Sequence, residues 1–201
     1  MYELLDGFNY YMDAGGYVMP PLILLAVLMW YGIGYRWSVI KRGSKRSVRN
    51  LIERYQASKW EQRSGIIPEA VEQGMALKRR NVPYLRRHLD DLFSDYTLAM
   101  GQHVVLIRTC VLIAPLLGLL GTVSGMIETF DSLVDMAMFT QDGGIAGGIS
   151  QALITTQFGL AIAIPGLLVA RYLERRQTRI EMDLNQIKDI LCSMPIAEQK
   201  R

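Results

Sequence analysis

Apolar residues along this chain fall into three long blocks, separated by stretches in which charged and apolar positions alternate with a helical period. The first block runs from Val18 to Tyr35 (VMPPLILLAVLMWYGIGY) and the second from Val104 to Ile127, with Arg108 near its start. The third occupies residues 148–170 and is closed by Arg171. Each is long enough to cross a bilayer as a helix, which takes about 17–25 residues. Between the first two blocks, Val48, Leu51, Ile52 and Tyr55 share one amphipathic face. Pro68 suits the first residue of a short helix through about Arg80, which Asn81-Val82-Pro83 then breaks. From Pro83 onward, Leu85, Leu89, Leu92, Tyr96, Ala99 and His103 keep a spacing of three and four into the second block. This predicts one helix from Pro83 to Glu128, on the order of 65–70 Å long at 1.5 Å per residue. Past Arg171, Leu173, Ile180, Leu184, Ile187 and Leu191 continue the phase of the third block.

Charge turns these blocks into a topology. Half of the 201 residues are hydrophobic and the mean hydropathy is +0.15, too apolar for an ordinary soluble domain. The net charge of +3 hides a segregation. Residues 1–17 carry Glu3, Asp6 and Asp13 and no basic residue, and the 128–146 connection carries Glu128, Asp131, Asp135 and Asp142 and again none. All 22 Lys and Arg lie in 36–108 or 171–201. By the positive-inside rule those segments are cytoplasmic, the N-terminus is periplasmic and three spans satisfy the parity. Acidic residues before the first block, with no small-residue cleavage site after it, predict an uncleaved signal anchor.

The expected fold is an all-α integral membrane protein with three transmembrane helices, two of them extended into a cytoplasmic helical bundle. Its segments are a periplasmic N-terminus (1–17), spans at 18–35, 104–127 and 148–170, a cytoplasmic helical loop (36–103), a periplasmic connection (128–147) and a cytoplasmic tail (171–201). Trp30, Tyr31, Tyr35 and Trp37 fit an interfacial belt, and Lys41, Arg42, Lys45, Arg46 and Arg49 fit contact with anionic lipid. Nothing else in the basic clusters points to nucleic acid. Cys110 and Cys192 fall in a span and in the tail, an arrangement that suits neither a disulfide nor a metal site.

The chemistry lies in the second and third spans. In CVLIAPLLGLLGTVSGMIETF (110–130), Gly118, Gly121 and Gly125 recur at helical spacing, the last two as a GxxxG. Such a face lets helices approach closely in lipid. No Lys follows these glycines as a phosphate loop would require. Thr122 lies along the same face, where its hydroxyl can bond back to the carbonyl of Gly118. In GGISQALITTQFGLAIAIPGLL (147–168), Ala152, Thr156, Gly159, Ala163 and either Gly166 or Leu167 line up as a helix-packing or pore face. Pro115 and Pro165 remove backbone donors and free the carbonyls of Val111 and Ala161, marking a packed kink or a hinge. No Asp, Glu, Lys, Arg or His occurs in 18–35, 110–127 or 148–170. Proton relays in membranes normally use such a group. The polar groups here therefore serve packing or receive another chain's charge. No nucleophile–base pair, metal cluster or nucleotide loop is present, so neither an enzyme nor a cofactor is expected.

The runs APLLGLLGTVSGMIETF and GGISQALITTQFGLAIAIPGLL resemble the paired signature of the MotA/TolQ/ExbB proton-channel family, most closely its ExbB branch. The match covers about 105–170, and the three-span, N-out plan extends it to nearly the whole chain; MotA-type stators have four spans. The resemblance implies an inner-membrane motor subunit of a Gram-negative bacterium. Five copies would surround the single spans of an ExbD- or TolR-like dimer, whose embedded Asp carries protons. It implies work on a TonB-like protein that opens outer-membrane receptors, or, in the TolQ branch, on an envelope-constricting system; a structural scaffold is the alternative of another class. By motif alignment Thr122 and Thr156 match the family's two pore-lining threonines. Gln151 stands where many members carry Glu, which implies a polar pore-mouth or partner contact that does not ionise.

Overall fold

The structure, a computed structural model, describes residue 12 and residues 15–44, 46–57, 64–136 and 144–194. Glu3, Asp6, Asp13, Lys45 and Asp142 and residues 195–201 lie outside the described residues. After a 3-10 turn at Gly16–Val18 come six helices: α1 (Met19–Val39), α2 (Val48–Gln56), α3 (Ile66–Arg79), α4 (Leu85–Gly101), α5 (Val104–Met136) and α6 (Gly144–Ser193). Among the described residues there is no strand. Three stretches, in α1, α4–α5 and α6, are long and apolar enough to cross a membrane. The chain divides into two compact units, one holding the residues up to Gly34 with His103–Ala170, the other Tyr35–Gln102 with the residues from Arg171.

In the first unit, three helices run up, down and up. Gly16, in the 3-10 turn before α1, lies against the Gln151 side chain of α6, and Tyr17 Oη meets Ser124 Oγ of α5 at 2.5 Å. Toward the other end of α1, Gly32 lies against Ile107 of α5, and Met29 lies against Gly166 of α6. α1 is therefore parallel to the first half of α6 and antiparallel to α5. Pro115 and Pro165 sit inside α5 and α6, and both helices continue through them. The first unit also keeps large apolar side chains outward: Leu116, Leu153 and Leu168 are 62%, 66% and 66% exposed. Such a surface needs lipid or protein to cover it.

The second unit has an aliphatic core. Val48, Leu51 and Ile52 of α2, Ile67, Ala70 and Val71 of α3, Leu89 and Phe93 of α4, and Leu173, Ile180, Leu184, Ile187 and Leu191 of α6 are all buried. Ser47 caps α2, accepting a bond from the Asn50 amide. Lys78 Nζ donates to the Leu191 and Met194 carbonyls, where the negative end of a helix dipole favours a cation.

Three expectations are corrected. The single helix from Pro83 to Glu128 is interrupted: α4 ends at Gly101 and α5 starts at Val104, with His103 in the left-handed region at φ 62°. Gly101 closes α4 there, but the three-four spacing continues across it and concealed the break. Above the break, the buried stripe of α4 is Leu89, Phe93 and Met100 rather than Leu92 and Ala99. In addition, Pro68 is the third residue of its helix, which opens at Ile66.

Candidate functional site

The small residues of α5 and α6 meet each other within one chain. Gly125 lies against Gly148 and Ala152, Gly121 against Thr155, and Gly118 against Thr156 and Gly159. Numbers rise along one helix as they fall along the other, so the helices are antiparallel. The approach is backbone to backbone. A Cβ added at Gly125 would lie 2.5 Å from the Gly148 carbonyl oxygen, and one at Gly159 2.7 Å from that of Ala114. Only residues without side-chain bulk allow this distance, which is how helices gain dispersion contact where burial from water offers no drive. Gly118, Gly121, Gly125, Gly159 and Ala163 are all buried.

Hydroxyl groups along this seam find partners in helix carbonyls. Thr155 is fully buried and donates to Gln151 O (3.0 Å) or Ala152 O (3.1 Å). Thr129 donates to Gly125 O at 2.8 Å. Thr156 is half-buried, with its hydroxyl 2.9 Å from Ala152 O and 3.3 Å from Gly118 O on the facing helix. Thr122, also half-buried, bonds Leu119 O at 2.6 Å, one residue nearer than the Gly118 carbonyl expected from sequence.

Helical geometry fixes which side each residue takes. Thr122 follows Gly121, and Thr156 follows Thr155, by the same step of about 100° around the axis. Because α5 and α6 are antiparallel, both steps turn toward the same flank of the pair. The register also puts Thr122 and Thr156 within a helical turn of each other in height. Gln151 and Ser124 take the opposite flank, where Gly16 and Tyr17 pack. Ser124 gives its own proton to Leu120 O at 3.0 Å, so it accepts from Tyr17.

The structure thus brings Thr122 and Thr156 together and sets Gln151 apart from them, against the 3-10 turn before α1. Sequence reasoning passed over Thr155, the deepest hydroxyl of the seam. Its signal is the row Gly148, Ala152, Thr155, Gly159, which has the i, i+4, i+7, i+11 spacing of a packed face. Arg36 was missed as well. It is 1% exposed, with Nη2 donating to Gln177 Oε1 at 2.5 Å and Nε to Met100 O at 3.3 Å. Among the described residues no cluster of His, Cys, Asp and Glu could hold a metal ion.

Residues 61–186, which include all of α5 and most of α6, match the family model of the MotA/TolQ/ExbB proton channel family. The chain is 30% identical over 168 residues to biopolymer transport protein ExbB-like 3 of Synechocystis sp., covering 78% of this chain and 80% of that one. It is 32% identical over 197 residues to ExbB-like 1 of the same organism, covering 90% and 74%. The Tol-Pal system protein TolQ of Haemophilus influenzae is 33% identical over 91 residues, covering 45% and 40%.

Proposed function

The chain belongs to the MotA/TolQ/ExbB proton channel family, and we propose that it is the multi-span subunit of an ExbB–ExbD–TonB-type motor. In this role it couples proton motive force to TonB-dependent transport across the outer membrane. Family and apolar helices make it a multi-pass inner-membrane protein. The charge segregation supports a periplasmic N-terminus and a cytoplasmic C-terminus. One observation carries the reading: α5 and α6 mate through small residues and place two hydroxyls on one flank, yet 110–127 and 148–170 contain no ionisable Asp, Glu, Lys, Arg or His. The proton carrier is therefore a partner's group, the membrane-embedded Asp of an ExbD-like single-span protein, with five copies of this chain around it.

The threonines suit that task. A carboxylate at membrane depth is costly while charged. A hydroxyl accepts from the protonated acid and donates to the carboxylate, lowering the cost of both forms without titrating. Thr122 and Thr156 line the proton path in this reading. Gln151, packed on the α1 flank, is left out of the lining and holds the start of the first span.

Thr156→Val tests the assignment. It removes a bond worth about 0.6 kcal/mol in membrane proteins, so the complex still inserts and assembles, while proton flux in proteoliposomes and TonB-dependent uptake fall away. Unchanged flux would sink the lining role. Co-purification with a single-span protein carrying an intramembrane Asp is expected, and recovery as a partner-free monomer would sink the motor reading. The TolQ likeness supports a second reading, a Tol-Pal envelope motor; capture of a TolA-like rather than a TonB-like protein would establish it.

A further inference from the structure

A basic cleft of about 970 Å³ opens in the second unit, between the loop after α1 and the polar part of α6. Lys41, Arg42 and Arg46 come from the loop, Arg176 and Arg179 from α6, and Asp183 is the one acidic residue lining it. The two sets are at least 130 residues apart in sequence. Arg42 is already paired, with Nε 2.7 Å from Asp183 Oδ2 and Nη1 donating to Ser44 O. Lys41, Arg46 and Arg179 have no acidic partner among the described residues. With Arg176 they leave a concentrated positive field over one concavity.

The loop that presents these charges is pinned. Gly43, at φ 80°, sits against Gly65 so closely that a Cβ on Gly43 would lie 2.7 Å from the Gly65 Cα. Ile66 N and Ile67 N donate to the carbonyls of Lys41 and Arg42 at 3.0 and 3.3 Å. The cations are thus held at the rim rather than carried on a free tail. Gathering so many like charges around one concavity costs stability through their mutual repulsion unless an anion offsets it. A tetrahedral phosphate oxyanion suits Arg and Lys donors converging from two sides.

We propose that this cleft is a phosphate-binding site, and that the phosphate is the headgroup of an anionic phospholipid. The lipid source rests on the membrane-spanning reading above; the phosphate chemistry does not. Trp37 and Tyr172 stack at 5.9 Å between ring centroids and are each half exposed, as interfacial aromatics are. Tyr172 stands one turn before Arg176, whose guanidinium lies 5.7 Å from its ring. Lys41 follows Trp37 by four residues. The cleft therefore begins one turn from a headgroup-level aromatic pair, on the side where the chain turns polar.

The test compares the full chain with Lys41→Ala/Arg46→Ala/Arg179→Ala, which removes cations that hold no ion pair among the described residues. Arg80→Ala/Arg86→Ala/Arg87→Ala is the charge-matched control at the far ends of α3 and α4. Native mass spectrometry counts the lipids retained after extraction from a mixed phosphatidylglycerol and phosphatidylcholine bilayer. Wild type and control are expected to retain phosphatidylglycerol preferentially. The cleft variant should lose that preference by one to two orders of magnitude, roughly, from about 1 kcal/mol per basic residue. In parallel, lipid-stripped chain is titrated calorimetrically with inorganic phosphate. Phosphate binding that the cleft variant loses, without any lipid preference, would keep the site and overturn its lipid source. Equal behaviour of wild type and cleft variant in both assays would overturn the site itself, whatever the state of proton flux.

Discussion

The two units of this chain hold helices together by opposite means. In the unit of α5 and the first half of α6, contact runs through Gly118, Gly121, Gly125, Gly148 and Gly159, while leucines point outward. In the unit of α2–α4, leucines and isoleucines fill the core, and charges pair around it: Arg42 of the loop after α1 with Asp183, and Lys188 of α6 with Asp90 of α4. The inversion follows from the surroundings. In water, burying a Leu side chain drives association. In lipid a Leu gains nothing by moving from tails to protein, so only closer backbone contact and hydrogen bonds remain as drive. Small residues thus form the α5–α6 seam of one unit, beside which Met19, Leu22, Met29 and Ile107 are also buried, while large residues form the core of the other.

Substitutions in opposite directions should break each unit. Gly125→Val puts bulk against the Gly148 carbonyl and the Ala152 amide, backbone atoms that cannot swing away. We expect a loss above about 3 kcal/mol, at or beyond the upper end for overpacking, read as a collapse of thermal stability in detergent. Gly147→Ala, with nothing within 4 Å of its added Cβ, should leave stability unchanged. In the second unit the harmful change is a deletion. Leu184→Ala opens a cavity in a fully packed seam and should cost about 3 kcal/mol. Leu116→Ala, on the outward face of α5, should cost little by the same measurement. If Gly125→Val were tolerated and Leu116→Ala were not, the inversion would be wrong.

Much of this contrast is legible in the sequence. Blocks of apolar residues mark the long helices because hydropathy is additive along a chain. The seam Leu173, Ile180, Leu184, Ile187, Leu191 is buried at every position, since its charged neighbours leave one face to the core. What escaped depends on contacts between distant residues. His103 takes a left-handed conformation although it is not a glycine, next to Tyr31 at 5.9 Å, and only Gly101 two positions before it hints at a helix end. Arg36 looks like a flanking charge, yet its partners Met100 and Gln177 lie 64 and 141 positions away. Thr155 and Thr156 are adjacent and chemically alike. Only the register against Gly121 shows which is the packed hydroxyl and which the flanking one.

A smaller effect is expected where charge meets a helix end. Lys78→Met removes the donor to the Leu191 and Met194 carbonyls and should cost about 1.5 kcal/mol, the low end for bonds from a charged group. Burial lowers the Lys78 pKa from its ordinary 10.5, opposed by the Cys192 thiolate. Between the folded value and 10.5 the unfolded chain binds more protons, so this residue's contribution rises with pH in that window. A urea series run toward pH 10 should show the wild-type advantage over Lys78→Met growing. An advantage that shrank would place the proton on the wrong side of the transition.

The weakest term is the surface ion pair, and it separates the two units most cleanly by its response to salt. Lys188 Nζ and Asp90 Oδ1 are 2.7 Å apart, with the Asp90 side chain half exposed. A surface pair of this kind is worth about 0.5 kcal/mol by double-mutant cycle, because water already solvates the half-exposed Asp90 carboxylate. Lys188→Ala, Asp90→Ala and the double variant should give that coupling at low ionic strength. It should fade as the Debye length falls from about 30 Å at 0.01 M to about 3 Å at 1 M. Gly125→Val, whose penalty is steric overlap rather than charge, should lose the same stability at every salt concentration. A coupling between Lys188 and Asp90 that survived high salt would mean the second unit is drier at that position than its exposure implies, and the division between a lipid-type and a water-type core would have to be redrawn there.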